Sequence, residues 1–352
     1  MNIYQSELWL KDLDEGIEAV GELDRLAGKK VMITGAAGLI LSSLTDILIR
    51  YNEAHEEKIQ IHAAGRWMEE MENRFGDYCR KDYFHFVKYD ASKDDNVFGE
   101  PVDYIIHGAS NAFPSLIMKE PVETMLSNFT GLYQLLHYAK EGGTRRVLYI
   151  SSSEVYGNKA TDQPYREDEY GFIDLLNTRN SYSVGKRAAE TLCCSFADEY
   201  GVESVIVRPG HIYGPTASPH DNRVSSAFAF DAAKGKDLVM KSDGSQIRSY
   251  CYCVDCAAAI LTVLLRGENK NAYNISNPHS IINIRQMAEY LAQAGHVNLI
   301  METAGTEEKK GFNPMSNSSL NSEKLEGIGW EGRFDAPKGL SHTVTILKDI
   351  YG

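Results

Sequence analysis

The chain has 352 residues, 43% of them hydrophobic and 24% charged, with a formal net charge of −13. That content supports a large core and excludes disorder, and the length suggests one large domain or two interlocked ones. The negative charge repels nucleic-acid backbones and anionic membranes, so neither is an expected partner, while a small anionic substrate stays open where positive charge is gathered locally.

Residues 1–28 carry Leu8, Leu10, Leu13, Ile17, Val20, Leu23 and Leu26 at roughly helical spacing among acids, which predicts an amphipathic helical extension packed on the body of the protein. No basic region followed by an apolar stretch opens the chain, and no run of about 18 apolar residues follows, so no signal peptide or membrane helix is expected and the expected compartment is the cytoplasm.

From Lys29 the pattern repeats as strand, turn and helix. Strands are expected at 30–34, 59–63, 84–88, 102–107, 146–151 and 203–208, with a helix over 38–51 and long helices near 122–140 and 182–200. Short β-branched runs separated by helical stretches predict an α/β fold, a Rossmann-type doubly wound parallel sheet over residues 29–208. After Pro209 the rhythm becomes irregular. Residues 209–352 are expected to form a smaller, mainly substrate-binding α/β part, with a segment near 250–265 returning to the first part.

Thr34-Gly35-Ala36-Ala37-Gly38 lies between the first strand and its helix. Backbone N–H groups around Gly35, Ala37, Gly38, Leu39 and Ile40 can approach a pyrophosphate at the positive helix end, a dinucleotide cradle and not a bare tight turn. Leu41 stands where a third glycine is expected and should alter how the helix meets the sheet. After the second strand the chain reads Ala63-Ala64-Gly65-Arg66 in place of the usual ribose-binding acid. Arg66 suits a 2′-phosphate or a stacked adenine. Asp90 is a candidate for the adenine amino group, with a surface turn as its rival reading, and Ala109 joins the cofactor set. NAD is the expected cofactor, with NADP open because of Arg66.

Ser151-Ser152-Ser153-Glu154-Val155-Tyr156-Gly157 ends the fifth strand at the carboxyl edge of the sheet, where ligands sit in open α/β folds. Ser152 is placed to hydrogen-bond a reacting hydroxyl, with Glu154 an acid or base beside it. Tyr182 and Lys186 lie one helical turn apart, followed by Val184, Ala188, Ala189, Leu192 and Phe196 at helical spacing. A tyrosine takes a proton near neutral pH only if its pKa falls well below 10, a shift expected from Lys186 and a positively charged nicotinamide. Tyr89 and Lys93 match the same spacing among turn residues and are read as surface.

Cys251, Cys253 and Cys256 lack a second CxxC or a nearby histidine to complete a four-ligand set, so no metal is expected and they read as small buried hydrophobes. With Cys79, Cys193 and Cys194 they fit reduced thiols better than a disulfide framework.

With these residues placed, the chain from about Lys29 to Trp330 resembles the extended short-chain dehydrogenases/reductases that act on nucleotide-diphosphate sugars. The shared motifs are TGAAG, SSSEVYG, YSVGK, the run from Arg208 to Pro215, and the run from Gly244 through Arg248 to Tyr250. Within that family it is most similar to the UDP-glucuronate decarboxylases, through Ser-Glu-Val-Tyr-Gly, Arg179, the run from Gly185 to Thr191, and the segment from Asp221 through Arg223 to Val224.

The resemblance implies that Arg248 holds the substrate diphosphate or carboxylate, with Ser153, Arg179, His211 and Arg223 also facing the substrate; His211 replaces a common asparagine. It implies C4 oxidation of the sugar with Tyr182 as base, loss of CO2 from the resulting β-keto acid, and return of the hydride. A 4-epimerase and a 4,6-dehydratase are the rival enzymes, the dehydratase disfavoured because Ser153 stands where such enzymes place an aspartate. A cofactor-binding regulatory protein without turnover is the rival of another class. A homodimer through the two long helices is implied by resemblance alone.

Overall fold

The computed structural model describes residues 2–110, 112, 114–159, 163–302 and 315–351. Its first helix, α1 (Glu7–Val20), begins at Ser6, whose hydroxyl accepts from the Trp9 amide, and stops at Gly21 in a left-handed conformation. Trp9, Leu13 and Val20 are fully buried on the helix face that meets the body. Gly16 makes this close approach necessary, because a Cβ there would lie 2.7 Å from Val254 and 3.0 Å from Ile47.

The next elements alternate: β1 (Lys30–Thr34), α2 (Leu39–Ala54), β2 (Gln60–Gly65), α3 (Met68–Phe75), β3 (Phe84–Lys88), β4 (Tyr104–His107), α4 (Pro114–Lys119), α5 (Pro121–Gly142), β5 (Arg146–Ile150), α6 (Ser181–Tyr200) and β6 (Ser204–Pro209). The remainder comprises β7 (His211–Tyr213), α7 (Val224–Ala233), β8 (Leu238–Met240), β9 (Ile247–Tyr252), α8 (Cys253–Arg266), β10 (Ala272–Ile275), β11 (Ile281–Asn283), α9 (Ile284–Gly295), β12 (Leu299–Met301), β13 (Asn317–Ser318), α10 (Glu323–Glu326) and α11 (Ala336–Tyr351).

Seven strands form one sheet in the order β10-β6-β5-β4-β1-β2-β3, with every neighbouring pair parallel. Their near-continuous burial reflects helices on both faces, α1, α2 and α8 on one side and α5 with α6 on the other. The order reverses at β1, whose neighbours are β2 and β4. A crevice therefore opens beyond the carboxyl ends of β1 and β4, the place where this class of sheet receives ligands.

The later strands build a second, small sheet centred on β9, which pairs with β7, β11 and β13. The sequence pattern did not anticipate β10, which rejoins the large sheet beside β6 in a register that sets Asn274 opposite Arg208. Between these two returns runs α8, buried along almost its whole length.

Two sequence expectations are resolved by packing. Tyr89 is not a surface residue: it is buried, and its hydroxyl fills space left by Gly131 of α5, where a Cβ would lie 2.3 Å from that oxygen. Turn residues around it misled the pattern, because the room was made by a helix some forty positions away. Leu41, in the third-glycine position, packs over Gly108, where a Cβ would lie only 2.6 Å from Leu41 Cδ1. The small residue demanded by close helix–sheet approach has moved to the strand side.

Cys251, Cys253 and Cys256 are buried and unbonded, and burial pushes their thiols up. No cluster of metal-ligating residues and no helix long and apolar enough to cross a membrane is found among the described residues.

Candidate active site

At the end of β1, Gly35 takes φ +78°, and a Cβ on it would come within 3.1 Å of the Ala109 backbone. The chain then turns, with the Gly38 amide donating to the Gly35 carbonyl, and α2 starts at Gly38 without any side-chain cap. The amides of Leu39 and Ile40 in its first turn have no intrahelical acceptor, the open helix end that suits a pyrophosphate. Side-chain-free backbone and an uncapped helix start together fit a dinucleotide.

Thr34 ties this turn to β4. Its hydroxyl accepts from the amides of Gly108 and Ala109, both at 3.3 Å, and lies 2.6 Å from His107 Nδ1. Burial, and secondarily the charge of Lys186, push the His107 pKa down to about 3, so the ring is neutral and can accept the Thr34 proton. Ala109 thus belongs to the wall of the cradle.

Arg66 is exposed at the carboxyl end of β2 and has no ion pair or hydrogen bond among the described residues. Asp90 is half-buried beyond β3, and one of its oxygens accepts from both the amide and the hydroxyl of Ser92. The turn reading of Asp90 is therefore realised on that oxygen.

The second cluster joins the end of β5 to α6. Ser152 starts a short helical turn, Ser153–Tyr156, and its hydroxyl accepts from the Glu154 amide at 3.2 Å. It also lies close enough to Tyr182 to favour that residue's phenolate. The Glu154 carboxylate accepts from the Ser183 hydroxyl at 3.1 Å and lies 3.7 Å from Arg179. Ser152, Glu154, Arg179 and Tyr182 are therefore brought to one place, with Ser153 between the first two in the chain.

Lys186 is buried, and its ammonium donates to the Ile150 carbonyl at 2.7 Å. Burial draws its pKa down to about 7. The Tyr182 pKa is pushed up instead of down, first by burial and then by the Glu154 carboxylate, with the Ser152 hydroxyl and Arg223 opposing. The part of the expected downward shift assigned to Lys186 is missing because that ammonium is turned to Ile150. A further positive charge, such as a pyridinium, is needed beside the phenol.

A third group gathers cationic side chains over the crevice. Arg248 is 3% exposed, and among the described residues its guanidinium donates to the carbonyls of Ile247 and Met315 at 2.8 and 3.1 Å. Burial lowers its pKa, and no carboxylate pairs with it among the described residues. The His211 pKa is pushed down to about 3 by burial, then by Arg248 and Arg223, and its Nδ1 has no hydrogen-bond partner. Arg223 is held by both oxygens of Asp221. A buried arginine without a counter-charge is expensive unless an anion completes it, so this corner is suited to diphosphate or carboxylate.

Sequence reasoning missed Thr34, His107, Ser183, Arg187, Glu190 and Asn128. Asn128 of α5 accepts from Ser110 at 3.0 Å and packs against Gly185 of α6. Each acts across the fold, and none sits in a short motif that names its partner.

The chain is similar to known proteins over most of its length. The sequence profile described as "NAD dependent epimerase/dehydratase family" matches residues 31–276. UDP-glucuronic acid decarboxylase 6 of Arabidopsis thaliana is 29% identical over 311 residues, covering 88% of this chain and 86% of that protein. The crystal structure of Thermotoga maritima UDP-glucose 4-epimerase with UDP-glucose aligns with a TM-score of 0.77 at 20% identity, over 92% of this chain and 100% of that one. The dTDP-glucose 4,6-dehydratase of Bacillus anthracis in complex with NAD aligns with a TM-score of 0.74 at 19% identity, over 92% and 97%.

Proposed function

The chain belongs to the NAD dependent epimerase/dehydratase family, and from that premise we propose that it decarboxylates a nucleotide-diphosphate uronate, UDP-glucuronate first among them, through transient oxidation at sugar C4. A bound nicotinamide dinucleotide supplies the hydride acceptor and later the donor, so no second redox substrate is needed. The residues that would hold it are Gly35, Ala37, Gly38, Leu39, Ile40 and Ala109 at the cradle and Lys186 beside Tyr182. NAD is the favoured form, since a cofactor recycled within one site needs no link to a reducing pool.

Tyr182 takes the C4 hydroxyl proton while Ser152 hydrogen-bonds the same oxygen. The 4-keto sugar is then a β-keto acid. The bond from C5 to the carboxylate breaks, its electrons pass into the C4 carbonyl, and CO2 departs. A proton then returns to C5, the acid–base task this reading gives to Glu154. Arg248, with His211 and Arg223 at its side, binds the anionic part of the substrate.

The observation that carries the reading is the setting of Glu154: a carboxylate fixed beside Tyr182 by Ser183 and Arg179, preceded in the chain by Ser153 and not by a second acid. A 4,6-dehydratase needs a proton donor for the departing C6 hydroxyl, and a serine is a poor one. A 4-epimerase would leave Glu154 without a task. The relative quoted above, a named UDP-glucuronic acid decarboxylase, supports the same choice.

A second copy of this chain is the proposed partner for α5, which turns Val122, Met125, Leu126, Phe129 and Tyr133 outward at helical spacing beside α6. The functional reading is tested by adding UDP-glucuronate to the cofactor-loaded protein and following absorbance near 340 nm. A transient rise supports C4 oxidation, and a flat trace with every nucleotide sugar tried refutes turnover.

A further inference from the structure

Two arginines that lie in the quoted runs but were given no role there grip the loop that carries Ser152 and Glu154. Arg187, the neighbour of Lys186 on α6, donates from Nε to the Val155 carbonyl at 2.6 Å and from Nη2 to the carbonyls of Tyr156 at 3.2 Å and Gly171 at 3.0 Å. It forms no ion pair among the described residues, and burial lowers its pKa. This half-buried cation is directed at three loop carbonyls.

Arg208, at the end of β6, approaches the same loop from the sheet. Its guanidinium meets both oxygens of Glu190 at 2.9 and 2.7 Å, the hydroxyls of Tyr156 at 2.9 Å and Tyr170 at 2.8 Å, and the Glu167 carbonyl at 2.8 Å. The Tyr170 ring lies over both guanidiniums, 5.6 Å from that of Arg187 and 5.3 Å from that of Arg208. The loop has little regular structure among the described residues, with one bridge between Asn158 and Phe172 and another from Tyr165 to Leu320. Its backbone oxygens must find partners elsewhere, and these side chains supply them.

We propose that Arg187 and the Arg208–Glu190 pair are positioning residues that hold the Ser152–Glu154 turn in register with Tyr182 and Lys186. This rests on the functional reading above only for its effect on turnover. Val155, whose carbonyl Arg187 binds, directly follows Glu154, while Arg187 directly follows Lys186. One guanidinium therefore fixes the distance between the two halves of the site. A planar fork with five donors can reach three splayed carbonyls; an ammonium reaches fewer in fixed directions.

The test uses the full chain loaded with NAD, and the variants Arg187→Ala and Arg187→Lys. Hydrogen–deuterium exchange should accelerate at least tenfold (about one decade of opening) in peptides covering 154–158 and 170–173, with β5 and α6 still protected. With a substrate that turns over, Arg187→Lys should lower kcat at least about thirtyfold while KM stays within about threefold. Unchanged exchange in that loop, or a loss seen in KM alone, overturns the proposal. If Arg187→Ala does not fold, the lysine variant decides both readouts. Should the unmodified protein fail to turn over any nucleotide sugar, the functional reading falls while exchange still decides the clamp.

Discussion

Lys186 Nζ lies 2.7 Å from the carbonyl oxygen of Ile150 and 5.6 Å from the centre of the Tyr182 ring. The ammonium is thus tied to the end of β5, and it stabilises a Tyr182 phenolate less than the one-turn spacing alone suggests. In the proposed reaction, proton removal by Tyr182 would then depend on positive charge arriving with the cofactor.

Tyr182→Phe removes the proton acceptor while leaving the ring's packing in place. Turnover should drop at least about a hundredfold, with NAD still bound when measured by calorimetry. Near-normal turnover would remove Tyr182 from the proton-transfer role.

Lys186 gives a pH signature in thermal unfolding. Its folded pKa of about 7 lies below the ordinary 10.5, so between these values the unfolded chain binds the extra proton. The contribution to stability is present above about 10.5 and is lost as pH falls through about 7. Lys186→Met should therefore be most favourable, relative to the natural chain, near pH 7, and the gap in Tm should shrink toward pH 9.5. A gap that does not change with pH contradicts the buried, desolvated ammonium.

His107 acts at the acid side. With a pKa pushed to about 3 from 6.5, its neutral form stabilises the fold above about pH 6.5, and that stability is lost as pH falls toward 3. Between pH 7 and pH 5 the loss is roughly 2 kcal/mol for such a group. His107→Asn retains an acceptor for Thr34 without a titrating ring, and its Tm should fall less over that interval. An identical fall in both proteins would mean that His107 is not buried as described.

Arg66 is exposed at the carboxyl end of β2. If NADP binds through this cation, Arg66→Ala should weaken NADP by at least about tenfold, in keeping with the loss of a charge-assisted hydrogen bond, and leave NAD within about twofold. Equal changes for both dinucleotides, read by fluorescence titration, would separate Arg66 from the 2′-phosphate.

How much of this was legible in the sequence follows from the range of each interaction. The β1–turn–α2 cradle and the spacing of Tyr182 and Lys186 are local, so residue pattern alone located them. The same local reasoning failed at Tyr89, whose burial depends on Gly131 in a distant helix, and at the Tyr182 pKa, which depends on Glu154 and on where Lys186 points. Arg187, Arg208 and Glu190 stood inside quoted motifs, but their contacts could not be read for a related reason: Arg208 joins loop, sheet and helix, and no spacing along the chain encodes three partners that meet only in space. The seventh strand, β10, is short and earns its place by pairing with β6.

Mass spectrometry of the product formed from UDP-glucuronate tests the central claim most directly. The account predicts a nucleotide sugar lighter by one CO2, formed without added oxidant or reductant. An unchanged mass with inverted C4, or a loss of water from UDP- or dTDP-glucose with UDP-glucuronate left intact, would contradict it.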